Sequence, residues 1–176
     1  MENNKSGRII KNTMVIAALF VGITSLASFG ADKLPEAKDY PVNNIYTGNA
    51  AKDIDNSDEF THEFRTRFKE AMQGDVVFAG EYAQAMWGCG GSGCHTVALI
   101  NKRTGRALDK AFTVYYGGDD ENPISMGEEV VFMEKNSKLL ITSGMDETTN
   151  KFYSYYYVLK KDGLELIRKL EKKEDK

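Results

Sequence analysis

"DVVFAGEYAQAMWGCGGSGCHTVALIN", residues 75–101, is where the chain changes period. Up to Gly74, apolar residues recur every fourth position. From Asp75 onward they alternate, as strand residues do when successive side chains point to opposite faces. Alternation predicts Val76, Phe78, Tyr82 and Met86 on one face, and Val77, Ala79, Ala83, Ala85 and Trp87 on the other. The second face is small enough to admit a closely packed helix. The centre, Cys89-Gly-Gly-Ser-Gly-Cys94, reads as a hairpin tip, and His95 to Asn101 as the returning strand.

The stretch before it supplies the helix. In "SDEFTHEFRTRFKEAMQG", residues 57–74, Phe60, Phe64, Phe68 and Met72 form one stripe with charges between them, which predicts a single amphipathic helix over 57–73. Asp55 to Ser57 offer caps, Asp58 and Glu59 suit the positive end of the helix, and Gly74 can end it. Downstream, "RALDKAFTVYY", "EEVVFME", "KLLITSG", "KFYSYYYVLK" and "GLELIRKL" read as strands with short connections. The expected fold is therefore α+β: one amphipathic helix on an antiparallel meander of six or seven strands, strongly curved, with a closed barrel as the alternative.

The ends bound the setting. Lys5, Arg8 and Lys11 precede an uncharged apolar run from Met14 to Phe29, and small residues follow at Ser28 to Ala31. That is the pattern of a secretory signal over 1–30, shorter than the ~20 apolar residues of a membrane span. An uncleaved anchor is the alternative. Residues 31–56, polar and turn-rich, read as an extended lead-in with a short strand at "NNIYTG". Residues 57–170 make one domain, and 171–176 a charged tail. The leader holds three basic residues and one acidic, so the remainder has 20 against 25 and a net charge of −5 with histidine neutral. This excludes an electrostatic footprint for nucleic acid.

The chain has two cysteines, and in an exported protein they read as the disulfide Cys89–Cys94. Opposed strand residues stand within disulfide reach, and the glycines supply the positive φ of a tight tip. The same glycines could instead form an anion-binding nest with Ser92 and His95 as polar contributors. C-x4-C-H matches no usual zinc spacing, and haem attachment requires C-x-x-C-H, so no metal and no cofactor is expected. Asp119, Asp120, Glu121 and Asn122, with Glu128 and Glu129 nearby, lack EF-hand spacing and read as a solvated acidic loop. Trp87, beside the tip, reads either as an anchor for a partner or as a core residue over the disulfide. In 151–160, Tyr153, Tyr155 and Tyr157 share one face and Phe152 and Tyr156 the other. That pattern suits a strand covered on both sides, or a tyrosine-rich binding face.

"FAGEYAQAMWGCGGSGC" followed by "ALINKRTGRA" resembles a group of small exported bacterial proteins of unassigned function. They share Phe-Ala-Gly-x-Tyr, a Trp-Gly-Cys-Gly turn with a second cysteine, and Asp/Asn-x-x-Thr-Gly. "FRTRFKEA" and "KLLITSG" are similar to their flanks, so the resemblance spans about 41–160. It implies one exported domain and brings no catalytic residue with it.

The expected function is a non-enzymatic binding domain of the periplasm or cell exterior, of inhibitor or immunity type. Its partner is another envelope or secreted protein, and no stable membrane anchor remains after signal cleavage. Trp87, Ser92, His95, Tyr153, Tyr155 and Tyr157 are the candidate binding residues. The alternatives are an envelope enzyme, using Cys89 or Cys94 with His95 or acting through Glu81 and Asp119, and a structural or assembly factor of the envelope.

Overall fold

A computed structural model describes residues 33–91, 93–118, 123–161 and 163–172. The chain divides into two units, residues 1–33 and 34–176, and the elements named here belong to the second. The expected leader, the acidic loop 119–122, Ser92 and the end of the charged tail at 173–176 lie outside the described residues.

The helical stripe forms, but as two short helices, α1 (Glu59–Glu63) and α2 (Arg65–Ala71). Asp58 caps α1, its Oδ2 accepting from the Thr61 amide at 2.9 Å and the Thr61 hydroxyl at 2.6 Å. The pivot is Phe64, at φ −98° and ψ 23°, whose ring stacks on Trp87 with centroids 4.7 Å apart. Backbone bonds still cross the pivot, Phe64 N to Phe60 O at 3.3 Å and Phe68 N to Phe64 O at 3.1 Å. The stripe therefore survives the bend: Phe68 and Met72 are buried, and Phe60 and Phe64 pack beside them.

The fold is mostly sheet. Its strands are β1 (Tyr82–Gly88), β2 (His95–Asn101), β3 (Phe112–Gly118), β4 (Pro123–Gly127), β5 (Glu129–Met133), β6 (Leu139–Asp146), β7 (Lys151–Lys160) and β8 (Gly163–Glu171). They form one open sheet in the order β1-β2-β3-β4-β6-β7-β8, with β5 also paired to β6. All ladders are antiparallel except the single parallel pair Met126↔Met145. Eight strands replace the expected six or seven because β4, five residues bounded by Pro123 and Gly127, has no alternation long enough to recognise. β8 reaches Glu171, and the Lys172 amide donates to Phe152 O at 2.8 Å, so the ladder runs into the first residues of the expected tail.

Two other boundaries differ. β1 begins at Tyr82, because Ala79 and Gly80 take φ of 47° and 80° and the Phe78 carbonyl accepts from both Glu81 N and Tyr82 N. The Phe-Ala-Gly-x-Tyr signature is thus a tight turn, and Val76 and Phe78 are not on the strand. The "NNIYTG" segment forms no strand; it is strapped along the domain by Val42 N to Asn136 O, Tyr46 N to Gly80 O and Ala51 N to Lys102 O. The Asn-x-x-Thr-Gly signature also has a local cause. Asn101 Oδ1 accepts from the Arg103 and Thr104 amides, and Gly105 sits at φ 71° against the Asp53 carbonyl.

Two layers of packing share β2. Its Ala98 and Ile100, with Ala83 and Ala85 of β1, meet Phe68, Ala71 and Met72. Leu99, with Phe112 of β3, joins Leu140, Tyr155 and Tyr157 of β6 and β7 in a second cluster. Phe112 and Tyr157 stand 5.6 Å apart by ring centroid, although two strands separate β3 from β7 along the sheet. Glycines make that approach feasible. A Cβ on Gly144 would lie 1.9 Å from the Gly127 carbonyl oxygen, and one on Gly127, at φ 85°, 2.3 Å from Thr113 O.

Gly144→Ala is expected to destabilise the domain by about 3 kcal/mol or more, since backbone must move to admit the methyl. Gly91→Ala, where a Cβ meets nothing within 4 Å, should leave the urea midpoint unchanged. Acid should act through the α1 cap. The Thr61 hydroxyl holds the Asp58 carboxyl below its ordinary range, aided by the Thr61 amide and by Arg106, whose guanidinium reaches it at 2.8 Å. Folding lowers this pKa, so its contribution is complete above the unfolded value of about 3.9 and is lost as pH falls through the lower folded value. Urea titrations between about pH 5 and pH 2 should show a shallower loss of stability for Asp58→Asn than for the parent chain.

Candidate functional site

The cysteines are joined. Cys89 and Cys94 form a disulfide with Cα atoms 5.2 Å apart, and no free cysteine occurs among the described residues. Cys89 N donates to Cys94 O at 3.2 Å and Cys94 N to Gly91 O at 3.3 Å, so hairpin hydrogen bonding and the covalent link agree in register. Gly90 and Gly93 take φ of 130° and 70°. Gly93 lies on the Tyr116 ring, where a Cβ would stand 2.9 Å from Cδ2.

His95 sits at the start of β2, half-buried beside Tyr116, with ring centroids 6.4 Å apart. Its Nδ1 meets the Gly93 carbonyl at 3.2 Å. A carbonyl only accepts, so Nδ1 carries the proton in this bond. Behind it, the Thr96 and Thr113 hydroxyls bond across β2 and β3 at 2.8 Å. The tip is therefore braced by the disulfide, by β3 and by its own histidine.

Trp87 packs on the helix side of β1, stacked on Phe64 and edge-on to Phe68 at 6.2 Å. It is half-buried. Its neighbour Met86 points to the other face and is 60 % exposed. Arg67, Met86, Trp87, Gly88 and His95 line an open depression of about 560 Å³. Of the expected binding residues, Trp87 and His95 meet here, and Ser92 falls outside the described residues. Arg67 and Met86 carry no motif. Alternation alone places Met86 opposite Trp87, but its exposure depends on what the fold packs over that face.

The tyrosines lie elsewhere. Tyr155 and Tyr157 are buried in the second cluster, 8 % and 5 % exposed, and Tyr153 packs against it. Tyr156 faces a third cluster with Leu139 and Val158. β7 is thus covered on both sides, and its rings are engaged inside the fold. Lys169 lies 3.9 Å above the Tyr153 ring and bonds Asp146 at 2.9 Å. Tyr157 donates to Glu128 Oε2 at 2.7 Å, the same oxygen accepts from Thr142 Oγ1 at 2.8 Å, and Lys110 faces Oε1 at 3.3 Å. Burial, followed by the bond to Glu128, pushes the Tyr157 phenol far above its ordinary value. Glu128 so enclosed braces the fold rather than presenting a carboxylate to substrate.

Of the two enzyme alternatives, the one through Glu81 and Asp119 includes a residue outside those described, and the one through Cys89 or Cys94 with His95 meets a disulfide. Both thiols are consumed by the disulfide, so neither can act as thiolate nucleophile or metal ligand while it persists. Glu81 pairs with Arg103 at 3.0 Å, and His62, exposed on α1, meets Asn56 at 3.3 Å. No family model, curated protein or solved structure matches this chain.

Two thiols should be alkylated only after reduction. Reduction should lower stability by about 2 kcal/mol, as a six-residue loop predicts, while near-ultraviolet circular dichroism keeps the native aromatic signal.

Proposed function

We propose that this chain is an exported, non-enzymatic binding domain of the bacterial envelope, which holds another envelope or secreted protein at the β1–β2 hairpin. The observation that carries the reading is Met86, a large apolar side chain 60 % exposed on a hairpin closed by a disulfide. An apolar anchor on a rigid support binds with little ordering cost. Trp87 supports it from beneath through Phe64 and Phe68, and His95 and Arg67 give the depression a polar rim. The disulfide is consistent with an oxidising compartment, which supports export as read from the leader. An inhibitor or immunity-type role is the refinement that the small acidic domain and stapled tip favour.

A photo-cross-linking side chain at position 86, installed in cells that export the chain, should give one dominant adduct. The same side chain at Val131, also exposed at 55 % but on β5, should give none. Indistinguishable patterns from the two positions would overturn the reading.

A further inference from the structure

We infer that the free edge of β1 is a strand-addition site for an extended segment of the partner protein that carries a carboxylate. This rests on the binding-domain reading and specifies how the partner is held.

The phase of the β1–β2 ladder is set by the bonds that bracket it, Lys102 N to Glu81 O at 2.8 Å and Cys89 N to Cys94 O at 3.2 Å. Bonded and non-bonded pairs alternate in an antiparallel ladder. Ala83, Ala85 and Trp87 therefore exchange bonds with β2, and the N–H and C=O groups of Gln84, Met86 and Gly88 face outward. The next outward residue, Tyr82, is already engaged, its amide donating to Phe78 O and its carbonyl accepting from Val77 N. Three outward residues remain, and among the described residues no strand pairs with them.

The two strands that end the path β1-β2-β3-β4-β6-β7-β8 are built differently. β8 carries Glu165, Arg168, Lys169 and Glu171, and its ladder is interrupted by a register shift at Tyr156/Tyr157. Charges and bulges of this kind discourage pairing with another chain. β1 has no charge and no proline, and it keeps seven consecutive pairs in register.

The side chains indicate the occupant. Met86 and Trp87 point to opposite faces of β1, so a depression lined by both straddles the strand's edge. Arg67 of α2 forms its cationic wall and reaches Glu70 only at 3.5 Å, with both side chains more than half exposed. A strand laid along this edge satisfies the outward backbone groups and sets a carboxylate against Arg67. A second copy fits less well: β1 has no carboxylate to offer, and two chains with a net charge of −5 each beyond the leader repel.

The test is amide hydrogen exchange of the purified chain, read by NMR, with two synthetic peptides at millimolar concentration. One alternates threonine and valine with glutamate at every fourth position; the other replaces glutamate by lysine. The glutamate peptide should slow exchange at Gln84, Met86 and Gly88 by roughly tenfold or more, and the lysine peptide should not. Arg67→Glu should reverse that preference. Strand addition is overturned if neither peptide protects these amides, if protection falls elsewhere, or if it rises with protein concentration alone, which would mean a second copy. Unprotected edge amides together with a dominant cross-link from position 86 overturn strand addition and leave the binding-domain reading standing. Absence of both removes both.

Discussion

The close approach of Gly127 and Gly144 is the constraint on which the rest depends. Gly144 leaves no room for a Cβ beside the Gly127 carbonyl, and Gly127 none beside Thr113 O. Three stretches of backbone, from β3, from the β4–β5 junction and from β6, converge where side chains would hold them apart. Gly127 takes a positive φ there, which glycine adopts at little cost. The chain leaves its pairing with β3 and takes up pairing with β6. With that exchange made, the sheet can stay open and still bring Phe112 against Tyr157.

Glu128, next to Gly127, occupies the corner this creates. Its carboxylate accepts from Thr142 and Tyr157 and faces Lys110, so an acidic group in a confined place is supplied with donors. Nearby charges discourage loss of the Tyr157 proton, and burial does so more strongly. The phenol therefore remains a donor, and the network ties the β4–β5 junction to β6 and β7. On the other side of β2, the small residues Ala83, Ala85 and Ala98 allow the helical stripe to come close. β2 is thus packed from both faces, which gives the hairpin tip a fixed base.

Much of this was legible along the chain because it depends on near neighbours. The Phe stripe, the small-residue face of β1 and the staple follow from spacing and residue type alone, whereas for β7 the pattern suited both a strand covered on both sides and a tyrosine-rich binding face. The helix break at Phe64 was not legible, because the stacked ring of Trp87 comes from a different element. The turn at Ala79 was hidden for a different reason: alanine at φ 47° runs against its own preference and is held there by the hydrogen bonds around Phe78. Arg67 and Met86 gave no local signal as site residues, since any amphipathic helix carries arginines and any strand alternates.

By itself the sequence determined the helical period of the Phe stripe, the alternation of the longer strands, the hairpin tip between its two cysteines and the sign of its net charge. These are properties of residues a few positions apart. Only the tertiary structure decided that β4 exists, that the sheet bends at the glycine crossing, that the tyrosines of β7 are inside, and that β1 is an edge. Which strand ends a sheet is a matter of what lies beside it in space, and side-chain alternation is the same for an edge strand as for its neighbour. The exposure of Met86, on which the proposed function turns, is likewise decided in space, by what packs over its face of β1.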